Sequence, residues 1–157
     1  MKTLYITVGL PGSGKTTWVS REVKKRSNTV HVSRDNIRYA FIDDDEDYFS
    51  HEGEVYREFI HSIQEGLNNG YDVYADATHL NWPSRRKLLG NLDLKDVAIV
   101  PIFFNIPLEI CIAHNNLRSG RARVPEAIIT HMAENLYSPI NDPFDYDDYI
   151  VITEKDM

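Results

Sequence analysis

Apolar and polar positions along the chain follow two rhythms. Leu4 to Val8 (L-Y-I-T-V) is a mostly apolar, β-prone run, as expected of a parallel strand buried on both faces, and Thr16 to Lys25 carries the residue types of a helix. Thr29 to Ser33 (T-V-H-V-S) alternates like a short strand, with Ser33-Arg34-Asp35 at its C-terminal end. Val55, Phe59, Ile63 and Leu67 lie four apart, which predicts one helical face over Glu54 to Leu67, and Asn68-Asn69-Gly70 stops it. Asp72 to Ala75 leads to Asp76 as a third strand, and Pro83 opens a helix ending near Leu92. Val97 to Phe104 reads as a fourth strand, whose Pro101 predicts a bulge or a strand exposed on one side. Helices follow over Pro107 to Leu117 and from Pro125 to about Leu136, joined by the basic linker Arg118 to Arg123. Tyr149 to Thr153 supplies a fifth strand. Strands alternating with helices predict an α/β fold, a parallel sheet of about five strands with helices on both faces and the site along the strands' carboxyl ends.

Between the first strand and first helix lies Gly9 to Thr16, G-L-P-G-S-G-K-T, which matches the phosphate-binding pattern G-x-x-x-x-G-K-[ST] at every specified position. Gly12 and Gly14 let the backbone curl so that successive N–H groups and the positive end of the helix converge on an anion. Gly12, Ser13, Gly14, Lys15, Thr16 and Thr17 are therefore the expected nucleotide-binding residues. Lys15 would reach the β- and γ-phosphates of ATP, and the Thr16 hydroxyl would hold Mg²⁺.

Composition narrows what the loop belongs to. The 157 residues suit one domain, expected to span 1–157, and the hydrophobic fraction of 42% is ordinary for a soluble protein. No apolar run approaches a membrane span, and Met1-Lys2-Thr3 leads into the first strand without a signal peptide. The single cysteine, Cys111, excludes an intramolecular disulfide framework and fits a reducing cytoplasm, the expected location. It sits in an apolar stretch and reads as core. The histidines offer no His-x-x-x-His pair for zinc. A net charge of −7 argues against a nucleic-acid partner, but the acids crowd into Asp43-Asp44-Asp45-Glu46-Asp47 and into Asp142, Asp145, Asp147 and Asp148. Elsewhere acids and bases nearly balance, so an oligonucleotide end in a local basic pocket is compatible. The run from Asp43 to Ser50 reads as a solvated, mobile surface loop.

Four further charged features follow strands, start a helix or overhang the loop. Asp35 could accept a proton from an attacking hydroxyl while Arg38, one helical turn later, holds a substrate phosphate; the plainer alternative is a helix N-terminal acid and a solvated arginine. Asp76, ending Val73-Tyr74-Ala75, is placed to meet Mg²⁺ or its water, or else to cap. Arg85 and Arg86 start a helix and are either substrate-phosphate contacts or a solvated face. Arg118, Arg121 and Arg123 bracket Ser119-Gly120 in a flexible connection, as a closing lid over about 114–136 requires, and one of them is expected to neutralise charge on the transferred phosphoryl group.

Taken together, G-L-P-G-S-G-K-T-T-W, S-R-D-N-I-R, D-A-T-H-L-N-W-P-S-R-R, F-N-I-P-L-E-I-C-I-A-H-N-N-L-R and V-P resemble the kinase domain of bacteriophage polynucleotide kinase-phosphatase, a small P-loop kinase. The resemblance spans almost the whole chain. It implies transfer of the ATP γ-phosphate to the 5′-hydroxyl of DNA or RNA. By the same resemblance Lys15 and Thr16 match the nucleotide and Mg²⁺ positions, and Asp35 matches the general base. Arg38 matches the grip on the acceptor phosphate, Asp76 an acid needed near that arginine, and Arg118 the lid arginine that engages ATP.

The chain departs from that pattern in places. His114 stands where the family often has an arginine, and the segment from Asn115 to Val124 is one residue longer, so Arg121 or Arg123 could replace Arg118. No D-x-D-x-T sequence follows a strand, so no phosphatase domain is expected. A kinase of a nucleoside, sugar or antibiotic hydroxyl is the alternative reading. A nucleotide-dependent switch or ATPase is less favoured, because no N-K-x-D or D-x-x-G motif is present. The oligomeric state is left open.

Overall fold

The computed structural model describes residues 1–43 and 45–157; within the acidic run, Asp44 lies outside the described residues. Strand β1 (Lys2–Val8) is the middle of a five-stranded sheet. It pairs with β3 (Asp72–Asp76), Leu4 to Ile6 opposite Val73 to Ala75, and along its whole length with β4 (Val97–Phe104). β2 (Thr29–Ser33) lies outside β3 and β5 (Ile150–Ile152) outside β4, giving the order β2-β3-β1-β4-β5 with every pair parallel. Parallel neighbours need long crossovers, and the intervening helices supply them.

The continuous apolar character of β1 follows from cover on both faces. Leu4, Ile6, Val32, Val73, Ala75 and Ile99 point to one side, against Phe59, Ile63 and Leu67 of α3 (Glu52–Asn68) and Leu88 and Leu89 of α4 (Trp82–Gly90). Tyr74, Ile102, Phe104 and Ile152 point to the other, against Val19 of α1 (Lys15–Lys25) and the buried Cys111 of α5 (Leu108–Asn116). Met132 of α6 (Glu126–Glu134) joins this second cluster, and α6 stops short of the expected Leu136. The four-residue spacing of Val55, Phe59, Ile63 and Leu67 is indeed one buried face.

Pro101 sits in β4 without a bulge. The N–H and C=O of Ile99 bond Asp147, away from β1, so Pro101, two residues on, turns its missing N–H to the same outer side, before the stretch where β5 pairs. Pro101 is itself buried and Asp147 covers that edge, so neither outcome expected of the proline, a bulge or an exposed side, is found.

A short helix, α2 (Arg34–Phe41), starts directly from β2, supplying the helical turn expected between Asp35 and Arg38. Ser33 caps it, its Oγ accepting from the Asn36 N–H at 3.2 Å. Asp35 and Arg38 are thereby fixed one turn apart at the carboxyl end of β2.

Beyond β3, His79 adopts a left-handed backbone, φ 40°, and is buried. Its Nδ1–H donates to the Thr7 carbonyl at 2.8 Å, while its own carbonyl accepts from Arg85 at 2.7 Å. Burial lowers the His79 pKa to about 4; the Thr7 bond and Asp76 oppose that, and Arg34 and Arg85 add to it. An unfolded histidine titrates near 6.5, so the unfolded chain binds the extra proton between these values. Stability from this residue is therefore full above about pH 6.5 and falls as pH drops toward 4, by about 3 kcal/mol in all. Urea titrations of wild type and His79→Gln should show that slope in the first protein and a flatter one in the second; parallel slopes would refute the assignment.

Candidate active site

The loop between β1 and α1 has the geometry its glycines predict. Gly12 and Gly14 have φ of 83° and 89°, and a Cβ on Gly12 would lie 2.3 Å from the Cys111 carbonyl oxygen, so no larger residue fits. His114, standing where the resembled family often has arginine, donates from Nδ1 to the Gly12 carbonyl at 2.9 Å and ties α5 to the loop. The Lys15 ammonium is buried and donates to the carbonyls of Gly9 and Leu10 at 3.0 and 2.8 Å. Burial lowers its pKa, and the charges of Asp76 and Asp35 oppose that shift. Ser13 Oγ is buried without a hydrogen-bond partner among the described residues, an open polar valence under a loop suited to an anion.

Asp76, at the end of β3, lies beneath Lys15. Its Oδ2 accepts from Thr16 Oγ1 and from His31 Nε2, each at 2.8 Å. Burial pushes this carboxyl's pKa up, but the bonds from His31 and Thr16 and the charge of Lys15 outweigh it, so the net shift is downward. A hydroxyl beside a buried carboxylate is a hard oxygen pair that suits Mg²⁺. Among the described residues no group of three or more His, Cys, Asp or Glu could cage a metal, so the ion's other ligands would be phosphate oxygens and water.

Across the cleft, α2 presents Asp35 and Arg38. Arg38 is only 5% exposed and forms a fork with Glu52 of α3, Nε to Oε2 at 2.8 Å and Nη2 to Oε1 at 2.7 Å. Its Nη1 donates to Asp35 Oδ1 and, at 2.8 Å, to the Tyr48 hydroxyl. Tyr48 in turn donates to Asp35 Oδ1 at 2.6 Å. Burial pulls the Arg38 pKa down, but Glu52, Tyr48 and Asp35 more than reverse this, so Arg38 is held firmly charged. Asp35 itself remains half-exposed at 47%, as an acid that meets a substrate must.

Lys15, Thr16, Thr17, Asp35, Arg38, Asp76 and Arg118 all line this one cleft, with Gly12 and Gly14. Other expected site residues lie elsewhere. Arg85 is fully buried, its Nε and Nη2 bonded to Asp142 at 2.7 and 2.8 Å, so it is a core ion pair and not a phosphate contact. Arg86, next along α4, is exposed and outside the cleft. Arg121 also falls outside it. Its Nη1 donates to the carbonyls of Tyr39 and Ile42, which fastens the segment between α5 and α6 to the end of α2. Asp76 lines the same cleft as Arg38, but its bonds run to Thr16 and His31, while Glu52 and Asp35 are the acids bonded to that arginine.

Pattern reading passed over His31, Tyr48, Phe49 and Glu52. His31 was one position in an alternating strand, and Glu52 has no local motif. Tyr48 and Phe49 did carry a signal, two adjacent aromatic residues ending an acidic run. They lie over Arg38, with the guanidinium 4.4 Å from the Tyr48 ring centroid and 5.6 Å from that of Phe49, while Asp43, Asp45, Asp47 and Ser50 of the same run are exposed as expected.

A parallel sheet of order 2-3-1-4-5 with a phosphate loop after its middle strand, and acids closing the same cleft, defines a nucleotide-binding P-loop kinase fold. The chain belongs to the family described as AAA domain, which matches residues 4–139. No curated protein matches it significantly. Among solved structures, a chain of the Pnkp1/Rnl/Hen1 RNA repair complex is similar at a TM-score of 0.75 and 25% identity, covering 86% of this chain and 44% of that one. A fungal RNA kinase superposes at 0.67 with 15% identity, over 96% and 75% of the two chains. A gluconokinase from Sinorhizobium meliloti 1021 does so at 0.61 with 16% identity, over 96% and 82%. The last two are likenesses of fold alone. This chain spans less than half the length of the RNA repair chain. No helix of the described residues is long and apolar enough to cross a membrane.

Proposed function

We propose that the domain, residues 1–157, is an ATP-dependent polynucleotide 5′-hydroxyl kinase acting on DNA or RNA ends. The observation that carries this reading is the placement of a half-exposed Asp35 carboxylate, held by Tyr48 and Arg38, in the same cleft as the buried Lys15. The likeness to a chain of an RNA repair complex supports the nucleic-acid acceptor.

In this reading the glycine loop and Lys15 hold the β- and γ-phosphates. Asp35 takes the proton of the acceptor 5′-hydroxyl as its oxygen bonds the γ-phosphorus and the bond to the ADP oxygen breaks. Arg38, already charged and locked by Glu52, keeps Asp35 in place and has one Nη2–H left for the acceptor's phosphate. Thr16 and Asp76 would hold Mg²⁺, which neutralises charge on the phosphate oxygens when bound. Arg118, in the segment joining α5 and α6, reaches the cleft from the lid side.

Incubating the protein with γ-labelled ATP and 5′-hydroxyl DNA and RNA oligonucleotides, nucleosides, gluconate and other sugars tests the proposal. Label should enter the oligonucleotides. Transfer only to small molecules would replace it with a small-molecule kinase, and ATP turnover without any acceptor would replace it with an ATPase or switch.

His31 orients Asp76 without touching the phosphates. His31→Leu is expected to raise the Mg²⁺ concentration for half-maximal nucleotide binding by on the order of tenfold, the scale typical for residues behind a metal ligand, whereas His31→Gln keeps a donor and most of the affinity. Calorimetric titration at several Mg²⁺ concentrations reads this directly. Equal Mg²⁺ dependence in wild type and His31→Leu would show that the bond is only structural.

A further inference from the structure

The acceptor half of the cleft contains a ring that the chemistry above leaves unused. Tyr48 is fixed by its bonds to Asp35 and Arg38. Phe49 stands nearly perpendicular to it, with ring centroids 4.7 Å apart and planes at 83°. Although Phe49 lines the cleft that also holds Arg34, Asp35, Arg38 and Glu52, it is 39% exposed, with the Arg38 guanidinium 5.6 Å from its ring centroid. An apolar ring held open among charges gains nothing from water and can offer a substrate only its face or edge. Phosphate and hydroxyl groups need donors or acceptors, which the neighbouring residues supply. A planar, aromatic part of the substrate is what remains for Phe49.

We propose that Phe49, braced by Tyr48 and Arg38, is the stacking surface for the nucleobase of the acceptor's 5′-terminal nucleotide. The inference rests on the polynucleotide kinase reading and deepens it by assigning the base subsite. A nucleoside whose 5′-hydroxyl meets Asp35 carries its base about one sugar ring away, and Phe49 lies one side chain beyond Tyr48, which itself touches Asp35. Such a surface accepts any base, because every base has a π-face. A sugar acceptor has no matching group.

The test compares kcat/KM for a 5′-hydroxyl oligonucleotide with that for the same strand carrying an abasic 5′-terminal residue. The wild-type protein should prefer the base-bearing end by on the order of tenfold, mostly through KM. Phe49→Ala should bring that preference close to unity, and Phe49→Trp should restore it. Thermal melting and ATP binding of each variant separate a lost subsite from a lost fold; should Phe49→Ala melt early, Phe49→Leu, which keeps the bulk without the π-face, takes its place. A preference that survives Phe49→Ala or Phe49→Leu overturns the inference while leaving the kinase reading intact, as does a wild type indifferent to the missing base. Transfer confined to small molecules overturns both.

Discussion

Arg118→Ala is expected to lower phosphoryl transfer by about 10³–10⁵-fold, the range for an arginine that meets transition-state charge on a transferred phosphoryl group, with much less effect on ATP binding. Three arginines lie in the segment between α5 and α6, and their surroundings separate them. Arg118 lines the cleft together with Lys15 and Asp35. Arg121 is fastened to the carbonyls of Tyr39 and Ile42, its guanidinium 5.0 Å from the Tyr39 ring centroid, so its removal should loosen the segment and cost much less than Arg118. Arg123 donates to Asn116 at 3.2 Å in an exposed position, and Arg123→Ala should change the rate only a few-fold. Single-turnover rates on a 5′-hydroxyl oligonucleotide measure all three. Arg118→Ala retaining a rate within tenfold of wild type would remove Arg118 from the role, and a larger loss in Arg121→Ala would transfer it. Lysine at 118 should rescue little, since an ammonium cannot present the guanidinium's planar fork.

Asp35→Ala is expected to reduce transfer by about 10²–10⁴-fold, the contribution of a positioned general base, while nucleotide affinity stays near wild type. The separation has a structural basis. The nucleotide loop is held by Lys15, His114 and the glycine geometry, none of which uses Asp35 as a hydrogen-bond partner. Arg38 keeps both bonds to Glu52 when Asp35 is shortened, so its charge stays compensated and the helix pair α2 and α3 stays joined. Asp35→Asn keeps the shape and removes the basicity, and it should be nearly as slow. Preserved oligonucleotide phosphorylation in either variant would end the role of Asp35 as base. Glu52→Gln offers a contrast. It weakens the partner that holds Arg38 and should act through acceptor KM as well as kcat, whereas Asp35→Asn should act on kcat.

Strands, helices and phosphate loop were legible because each rests on residues adjacent in sequence. A buried parallel strand needs an unbroken apolar run, a helix face needs four-residue spacing, and an anion nest needs glycines at fixed offsets. The placing of charge was less legible. Arg85 and Arg86 look alike along α4, yet one is buried against Asp142, 57 residues away, and the other is exposed. Nothing near Arg85 announces that partner. The acidic stretch before α3 read as solvent-facing by composition, and composition averages over Tyr48 and Phe49, which close over Arg38.

By itself, then, the sequence determined the α/β layering, the parallel sheet, the nucleotide loop and the adjacency of Asp35 and Arg38, since all of these are set by local spacing and backbone geometry. Only the tertiary structure decided that Glu52 and Tyr48 hold Arg38, that His31 and Thr16 share one oxygen of Asp76, and that Arg118 rather than Arg121 reaches the cleft. Those pairings join different strands, helices and connecting segments. Side chains distant in sequence become partners only where packing brings their elements together, and burial then requires each charge to find one.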